Sequence, residues 1–136
     1  MVPALLDTDT LSEIVKLRNA RVAQRALDYT RKVGLLTFSA ITRYEVLRGY
    51  KQRGALLQLA RFEAFCQKST IIPITDGILD RASDLWAVAR NSGRPHEDTD
   101  LLIAATALEH GITLVTGNTV HFSWIPGLAL ENWRAD

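Results

Sequence analysis

Four segments that carry an acid or an amide lie at the edges of apolar runs, far apart along the chain. Their polar residues are Asp7, Glu45, Asp100 and Asn118. A carboxylate at the edge of an apolar run is poorly solvated, and several carboxylates brought together repel one another. A hard divalent cation between them, Mg²⁺ or Mn²⁺, would relieve that repulsion, because oxygen-rich sites suit these ions. The pattern therefore favours metal-assisted hydrolysis of a phosphodiester.

The first two acids also have structural interpretations. Asp7 could be a turn residue or a partner of a helix dipole. Asp9 lies nearer to the predicted helix start and could take that role, so we interpret Asp7 as a metal ligand. Thr42 and Glu45 have the spacing of a capping box, which would make Glu45 a capping group. If the helix instead begins near Ser39, Glu45 faces inward and needs a partner.

The later acids lie near a predicted helix start, where negative charge is stabilised. Asp98 is the better capping candidate because the apolar stripe begins at Leu101, although Asp98 could also supplement the metal site. Asp100 is then the better candidate for the pocket. Glu97 is interpreted as solvated.

The amide-bearing segment lies in a Gly-Asn turn after a buried strand. Asn118 is therefore a turn residue, or an amide that holds a water molecule or a substrate oxygen. Thr116 could contact substrate through its hydroxyl. His96 and His121 lack metal-ligand spacing, and we interpret both as loop residues.

Short apolar runs alternate with helical periodicity. The runs at residues 4–6, 35–38, 71–74 and 113–116 predict strands, with a possible fifth at 128–130. Residues 10–13 resemble a capping box that starts a helix, and amphipathic stripes near residues 56–65, 78–89 and 101–108 predict further helices. Strands separated by helices imply one α/β domain over residues 1–136, with a mainly parallel sheet of four to five strands covered on both faces.

This topology explains how distant residues meet. In open parallel sheets, sites form beyond the carboxyl ends of the strands. Asp7 and Asn118 follow the first and fourth predicted strands. Glu45 lies in the helix after the second strand, and Asp100 lies near the start of its own helix. All four can therefore reach one edge of the sheet.

Composition narrows the class of protein. The chain has 136 residues, of which 47% are hydrophobic and 23% are charged, as in an ordinary globular protein. The single cysteine, Cys66, cannot form an internal disulfide, which fits a reducing cytoplasm. No apolar run is long enough to span a membrane, and we expect no signal peptide. Residues 1–68 carry 12 basic and 6 acidic residues, whereas residues 69–136 carry 4 and 9. A basic flank beside an acidic pocket suits a polyanion, although solvated helix faces explain the same counts.

Taken together, these segments resemble the PIN-domain ribonucleases, and within them the VapC toxins of type II toxin–antitoxin systems. The resemblance runs almost from end to end, through residues 5–9, 39–49, 100–107 and 114–133. It implies a three-layer α/β/α sandwich in which Asp7, Glu45 and Asp100 form an acidic triad for Mg²⁺ or Mn²⁺. Asn118 stands where many relatives have a fourth acid.

The resemblance also implies an activity and partners. The activity would be endonucleolytic cleavage of RNA by a metal-activated water, and the partners would be an RNA substrate, a cognate VapB-type antitoxin and a second copy in a homodimer. Basic residues that could hold the phosphate backbone beside the pocket are Arg43, Arg48, Lys51 and Arg53.

Two other functions remain open at this point. Residues 7–11 superficially resemble the start of haloacid-dehalogenase-type phosphatases, in which the first Asp is a nucleophile. The pattern lacks the Gly-Thr that normally follows, and the chain is short for that fold. A catalytically inactive PIN domain that binds RNA or an antitoxin is the second alternative, but the intact triad argues against it.

Overall fold

Five short parallel strands form the centre of the molecule in the computed structural model, which describes residues 1–135. The sheet has the order β3-β2-β1-β4-β5. The strands are β1 Ala4–Leu6, β2 Thr37–Ser39, β3 Thr70–Ile72, β4 Thr113–Val115 and β5 Leu130–Glu131. Strand β1 pairs with β2 on one side and with β4 on the other. From β1, the next two strands are added on one side of the sheet and the last two on the other side. Open α/β sheets form their sites at the point where the strand order switches sides in this way, which here lies between β1 and β4.

Seven helices connect the strands within residues 1–135. They are α1 Thr8–Lys16, α2 Ala20–Lys32, α3 Ala40–Arg53, α4 Leu56–Gln67, α5 Asp76–Asn91, α6 Asp98–His110 and α7 Thr119–Phe122. Helices α1 to α4 pack on one face of the sheet, and α5 to α7 pack on the other. Among residues 1–135, every helix falls short of the length and apolarity that a membrane crossing requires.

Two apolar cores result from the alternation of side chains along each strand. Leu6 and Val115 point into the core under α1 to α4, whereas Leu5 and Leu114 point into the core under α5 to α7. The predicted α/β/α sandwich with a parallel sheet is therefore confirmed, and the sheet has five strands. Helix α2 was not recognised as a separate helix in the sequence.

Two helix starts differ from the prediction. Asp7, not a residue of the 10–13 segment, caps α1: its Oδ1 accepts a hydrogen bond from the Thr10 backbone N–H at 2.8 Å. The predicted capping box is wrong because the helix has already begun at Thr8. Helix α6 begins after Glu97, so Asp98 is its first helical residue and not its cap. Helix α3 does begin after Ser39, as the second interpretation of Glu45 required.

Candidate active site

An acidic cleft of about 350 Å³ opens at the carboxyl edge of the sheet. Side chains from four separate parts of the chain line it: Asp7, Thr8, Asp9, Glu45, Glu97, Asp100, Thr116, Asn118, His121 and Phe122. Three of the carboxylates are the predicted triad, and Thr116 and Asn118 come from the segment after β4. The topology therefore brings together the residues that the sequence had selected at this edge.

Asp7 is the most buried carboxylate of the cleft, with 8% of its surface exposed. Its backbone N–H continues the sheet by donating to the Val115 carbonyl at 2.9 Å. Burial raises the pKa of Asp7, while hydrogen bonds from Thr116 and Thr10 partly offset that rise and the nearby Asp9 charge adds to it. One residue thus ends β1, caps α1 and presents a poorly solvated carboxylate to the cleft.

Thr116 is fully buried and holds two parts of the site together. Its hydroxyl accepts a hydrogen bond from the Asn118 backbone N–H at 3.1 Å, and its interaction with Asp7 partly offsets the rise in the pKa of that carboxyl. Asn118 in turn caps the short helix α7, where its Oδ1 accepts from the His121 backbone N–H at 3.3 Å. The turn role predicted for Asn118 is therefore present, and its exposed amide still borders the cleft.

Glu45 is held in the cleft by Thr8, a residue for which the sequence predicted no role in the site. The Thr8 hydroxyl donates to Glu45 Oε1 at 2.7 Å and also lies 3.2 Å from the Thr42 hydroxyl. The other oxygen, Oε2, lies 3.4 Å from an Arg48 guanidinium nitrogen, and only 15% of the Glu45 side chain is exposed. The inward carboxylate therefore has the partner that its burial demands.

Asp100 meets a histidine pair. Its Oδ2 lies 3.2 Å from His121 Nε2, which itself lies 3.1 Å from His96 Nδ1. The His96 ring packs on Trp124 at 5.0 Å between centroids. Burial lowers the pKa of His96, and the neighbouring His121 adds to that effect. His96 does lie in a loop, as predicted, whereas the loop interpretation is wrong for His121, which lies in helix α7 and reaches Asp100 because this segment folds back over the start of α6.

Three predicted residues lie elsewhere or at the rim. Asp98 lines a separate groove between α5 and α6. Residues two positions apart on a helix point in nearly opposite directions, so Asp98 cannot share a face with Asp100. Arg43 is likewise two positions from Glu45 on α3, so it points away from the cleft and lies beside the Cys66 thiol. Arg48, three residues after Glu45, lies on the same face of α3 as Glu45. The structure therefore gives no support to Asp98 as a metal ligand or to Arg43 as a substrate contact.

The donor set of the cleft suits a hard divalent cation. Its carboxylate, amide and hydroxyl oxygens are the ligands that Mg²⁺ and Mn²⁺ favour. A cation would also compensate the cost of burying Asp7 next to other acids. As the side chains of residues 1–135 are placed, no three of the His, Cys, Asp and Glu groups are arranged to hold an ion.

Comparisons with known proteins place the chain in a class. The family model of the PIN domain matches residues 4–126, and the chain belongs to this family. The tRNA(fMet)-specific endonuclease VapC of Shigella flexneri is 27% identical over 98% of this chain and 99% of its own length. Ribonuclease VapC19 of Mycobacterium tuberculosis is 34% identical over 66% of this chain and 69% of its own. The predicted resemblance is confirmed.

The fold agrees with a solved complex. The structure of DNA-bound VapBC from Salmonella typhimurium superimposes with a TM-score of 0.85 at 26% identity, covering 98% of this chain and 99% of the other. Membership of the PIN family carries with it an expectation of a divalent metal at the acidic cleft.

Proposed function

We propose that this protein is a metal-dependent endoribonuclease that acts as the toxin of a VapBC-type toxin–antitoxin pair. The observation that supports it most directly is the meeting of Asp7, Glu45 and Asp100 in one cleft, although they lie on separate elements. The sequence relatives named as VapC ribonucleases support the same reaction.

The proposed ligands of Mg²⁺ or Mn²⁺ are Asp7, Glu45 and Asp100, with Asn118 as a further oxygen donor, directly or through water. The ion, when bound, supplies a Lewis acid that activates water and stabilises charge on the phosphate oxygens. The other side chains position these ligands. Thr116 and the Thr10 N–H orient Asp7, and the Thr8 hydroxyl orients Glu45. Arg48, which is half exposed and lies beside Glu45, would contact a phosphate.

The proposed partner is a VapB-type antitoxin, since solved relatives of this fold are VapBC complexes. A basic side chain of that partner in the acidic cleft would replace the cation electrostatically and block substrate. Residues 1–136 would act as one catalytic domain in the cytoplasm, where RNA and the antitoxin are available.

The test is cleavage of RNA by the purified protein without its antitoxin. End-labelled tRNA and ribosomal RNA are incubated with Mg²⁺, with Mn²⁺ and with EDTA. We expect discrete fragments with 5′-phosphate ends in the presence of either ion, and intact RNA with EDTA. Asp100→Asn, purified in the same way, controls for contaminating nuclease. RNA that is bound but left intact with both ions would contradict the proposal and favour an inactive RNA-binding PIN domain.

Thr8→Val should lower the rate of RNA cleavage by about 10- to 100-fold, the range typical for loss of a group that orients a metal ligand. The hydroxyl that holds Glu45 would be replaced by a methyl group of similar size. Thr8→Ser keeps the hydroxyl and should retain most of the activity. Values of kcat/KM at saturating metal would check this, and a Thr8→Val enzyme as fast as the unsubstituted one would remove Thr8 from the site.

A further inference from the structure

The carboxy-terminal segment places an arginine, Arg134, beside the acidic cleft. Trp133 is almost fully buried, and its ring packs 5.9 Å from that of Tyr29. Arg25 on α2 donates to the Asn132 carbonyl at 2.8 Å, and Asn132 Oδ1 accepts from the Arg134 backbone N–H at 2.9 Å. The backbone that carries Arg134 is therefore fixed against α2.

The Arg134 side chain is fixed as well. Its Nε lies 2.9 Å from Glu13 Oε2, and a terminal nitrogen, NH2, lies 2.6 Å from Glu13 Oε1. A two-bond pair of this kind sets the plane of the guanidinium as well as its position. It uses two of the five N–H groups of the guanidinium and leaves three, of which two are on NH1. Glu13, which the sequence suggested as a capping residue, therefore pairs with Arg134 from inside helix α1.

The guanidinium lies against the segment that forms the wall of the cleft. A Cβ atom built on Gly117 would overlap NH1 and Cζ of Arg134, so the absence of a side chain at Gly117 creates the space that the guanidinium occupies. The two neighbours of Gly117, Thr116 and Asn118, both line the acidic cleft. The charges of Asp7 and Asp9 contribute to a raised pKa of Arg134, after the larger effect of its bond to Glu13.

A smaller cleft of about 230 Å³ continues from this point along α1. It is lined by Asp9, Ser12, Glu13, Lys16, Arg18 and Arg134. Asp9 also lines the acidic cleft, so the two clefts meet at that residue. Three cations face two carboxylates here, whereas carboxylates predominate in the acidic cleft. A polyanionic strand can therefore place one phosphate at the acids and another at the cations.

The geometry points to Arg134 as a phosphate-binding residue for the RNA strand, positioned by Glu13 and by the bare backbone of Gly117. It would hold a phosphate near the scissile one, in the cleft shared with Lys16 and Arg18. This inference rests on the proposed function for its substrate class. A purely structural role for Arg134, as an anchor of the carboxy terminus, would leave the dependence of RNA binding on salt unchanged.

RNA binding without cleavage tests this directly. In an Asp100→Asn background with EDTA, the affinity for a fluorescein-labelled single-stranded RNA is measured by anisotropy between about 50 and 200 mM KCl. Arg134→Gln should weaken binding at least about tenfold at the low end, since hydrogen bonds to charged groups are strong. It should also reduce the slope of log K against log salt by about 0.7, the value for one phosphate contact on a single strand.

Gly117→Ala provides a second variant that keeps the charge. The added methyl displaces the guanidinium from the wall, so binding should weaken in the same direction. In an Arg134→Gln background, Gly117→Ala should have little further effect, because both changes act on one contact. The matched control is Arg81→Gln, which breaks an arginine–glutamate pair with Glu109 on the opposite face of the sheet. It should change neither affinity nor slope.

Equal affinity and equal salt slope for Arg134→Gln and its parent would overturn the inference. Equal weakening by Arg134→Gln and Arg81→Gln would do the same, since it would show only a general loss of charge. Cleavage of the same RNA by the unsubstituted protein with Mn²⁺ is measured in parallel. Cleavage together with an unaffected Arg134→Gln rejects this inference alone, whereas absence of cleavage rejects the proposed function.

Discussion

Asp7→Asn is expected to lose more than about 100-fold of the RNA cleavage rate while keeping the fold. Loss of a group that only orients a ligand typically costs 10- to 100-fold, and loss of a proposed metal ligand should cost more. Asparagine caps helices about as well as aspartate, so its side-chain oxygen can still accept from the Thr10 N–H. Cleavage with Mn²⁺ and urea unfolding with EDTA would measure the two effects separately.

The raised pKa of Asp7 determines whether Asp7→Asn is more or less stable than the unsubstituted protein at a given pH. Burial raises the pKa of Asp7 in the folded protein above 3.8, so between that value and the raised pKa the folded state binds the proton that the unfolded state has lost. Without metal, the contribution of Asp7 to the free energy of unfolding therefore decreases as pH rises through this window, and the penalty persists above it. Asp7→Asn removes that decrease and should be the more stable protein at pH 7.

Asp7→Ala is the matched control for the cap. It removes both the charge and the acceptor for the Thr10 N–H, so it should be less stable than Asp7→Asn by about 0.5–2 kcal/mol. Both variants should show the same loss of more than about 100-fold in the rate of RNA cleavage. Full metal-dependent cleavage by Asp7→Asn would show that Asp7 is not a ligand, whereas equal stability of the two variants would show that the cap contributes little.

Phe62→Ala is expected to lower the free energy of unfolding by about 3–5 kcal/mol, the usual cost of deleting a fully buried aromatic ring. Phe62 has no exposed surface, and its ring lies 6.2 to 6.4 Å from those of Phe38, Tyr50 and Phe65. Because small domains have only about 5–15 kcal/mol of stability, this loss is a large share of the total. Denaturant titration with EDTA would measure it.

Leu57→Ala on the same helix is the control for this prediction. Leu57 is 60% exposed, so its truncation should change the free energy of unfolding by no more than about 0.5 kcal/mol. A Phe62→Ala protein that unfolds at the same denaturant concentration as Leu57→Ala would show that the core under α4 can collapse around the missing ring.

The parts of the site that the sequence predicted depend on regular topology. Strand β1 ends at Leu6 and β4 at Val115, and parallel pairing then places Asp7 next to Thr116 without further information. The helical repeat does the same for Glu45 once α3 begins after Ser39. These positions follow from short-range patterns and one rule about parallel sheets.

The remaining contacts join side chains from different elements, and local sequence patterns do not show that these elements pack together. His121 reaches Asp100 only because helix α7 folds over the start of α6, and Thr8 reaches Glu45 only because α1 packs beside α3. Local patterns were also misleading where a tertiary partner took over. Glu13 has the spacing of a capping group but bonds instead to Arg134, more than a hundred residues later.

The position of β1 in the sheet determines how much of the chain must be synthesised before the acidic cleft can form. This strand is synthesised before the other four strands, yet it lies at the centre of the sheet, and its neighbour β4 follows only after six helices. A chain still emerging from the ribosome therefore has Asp7 but neither Thr116 nor Asn118 beside it. Until β4 and the residues that follow it have been synthesised, the acidic cleft therefore lacks one of its walls.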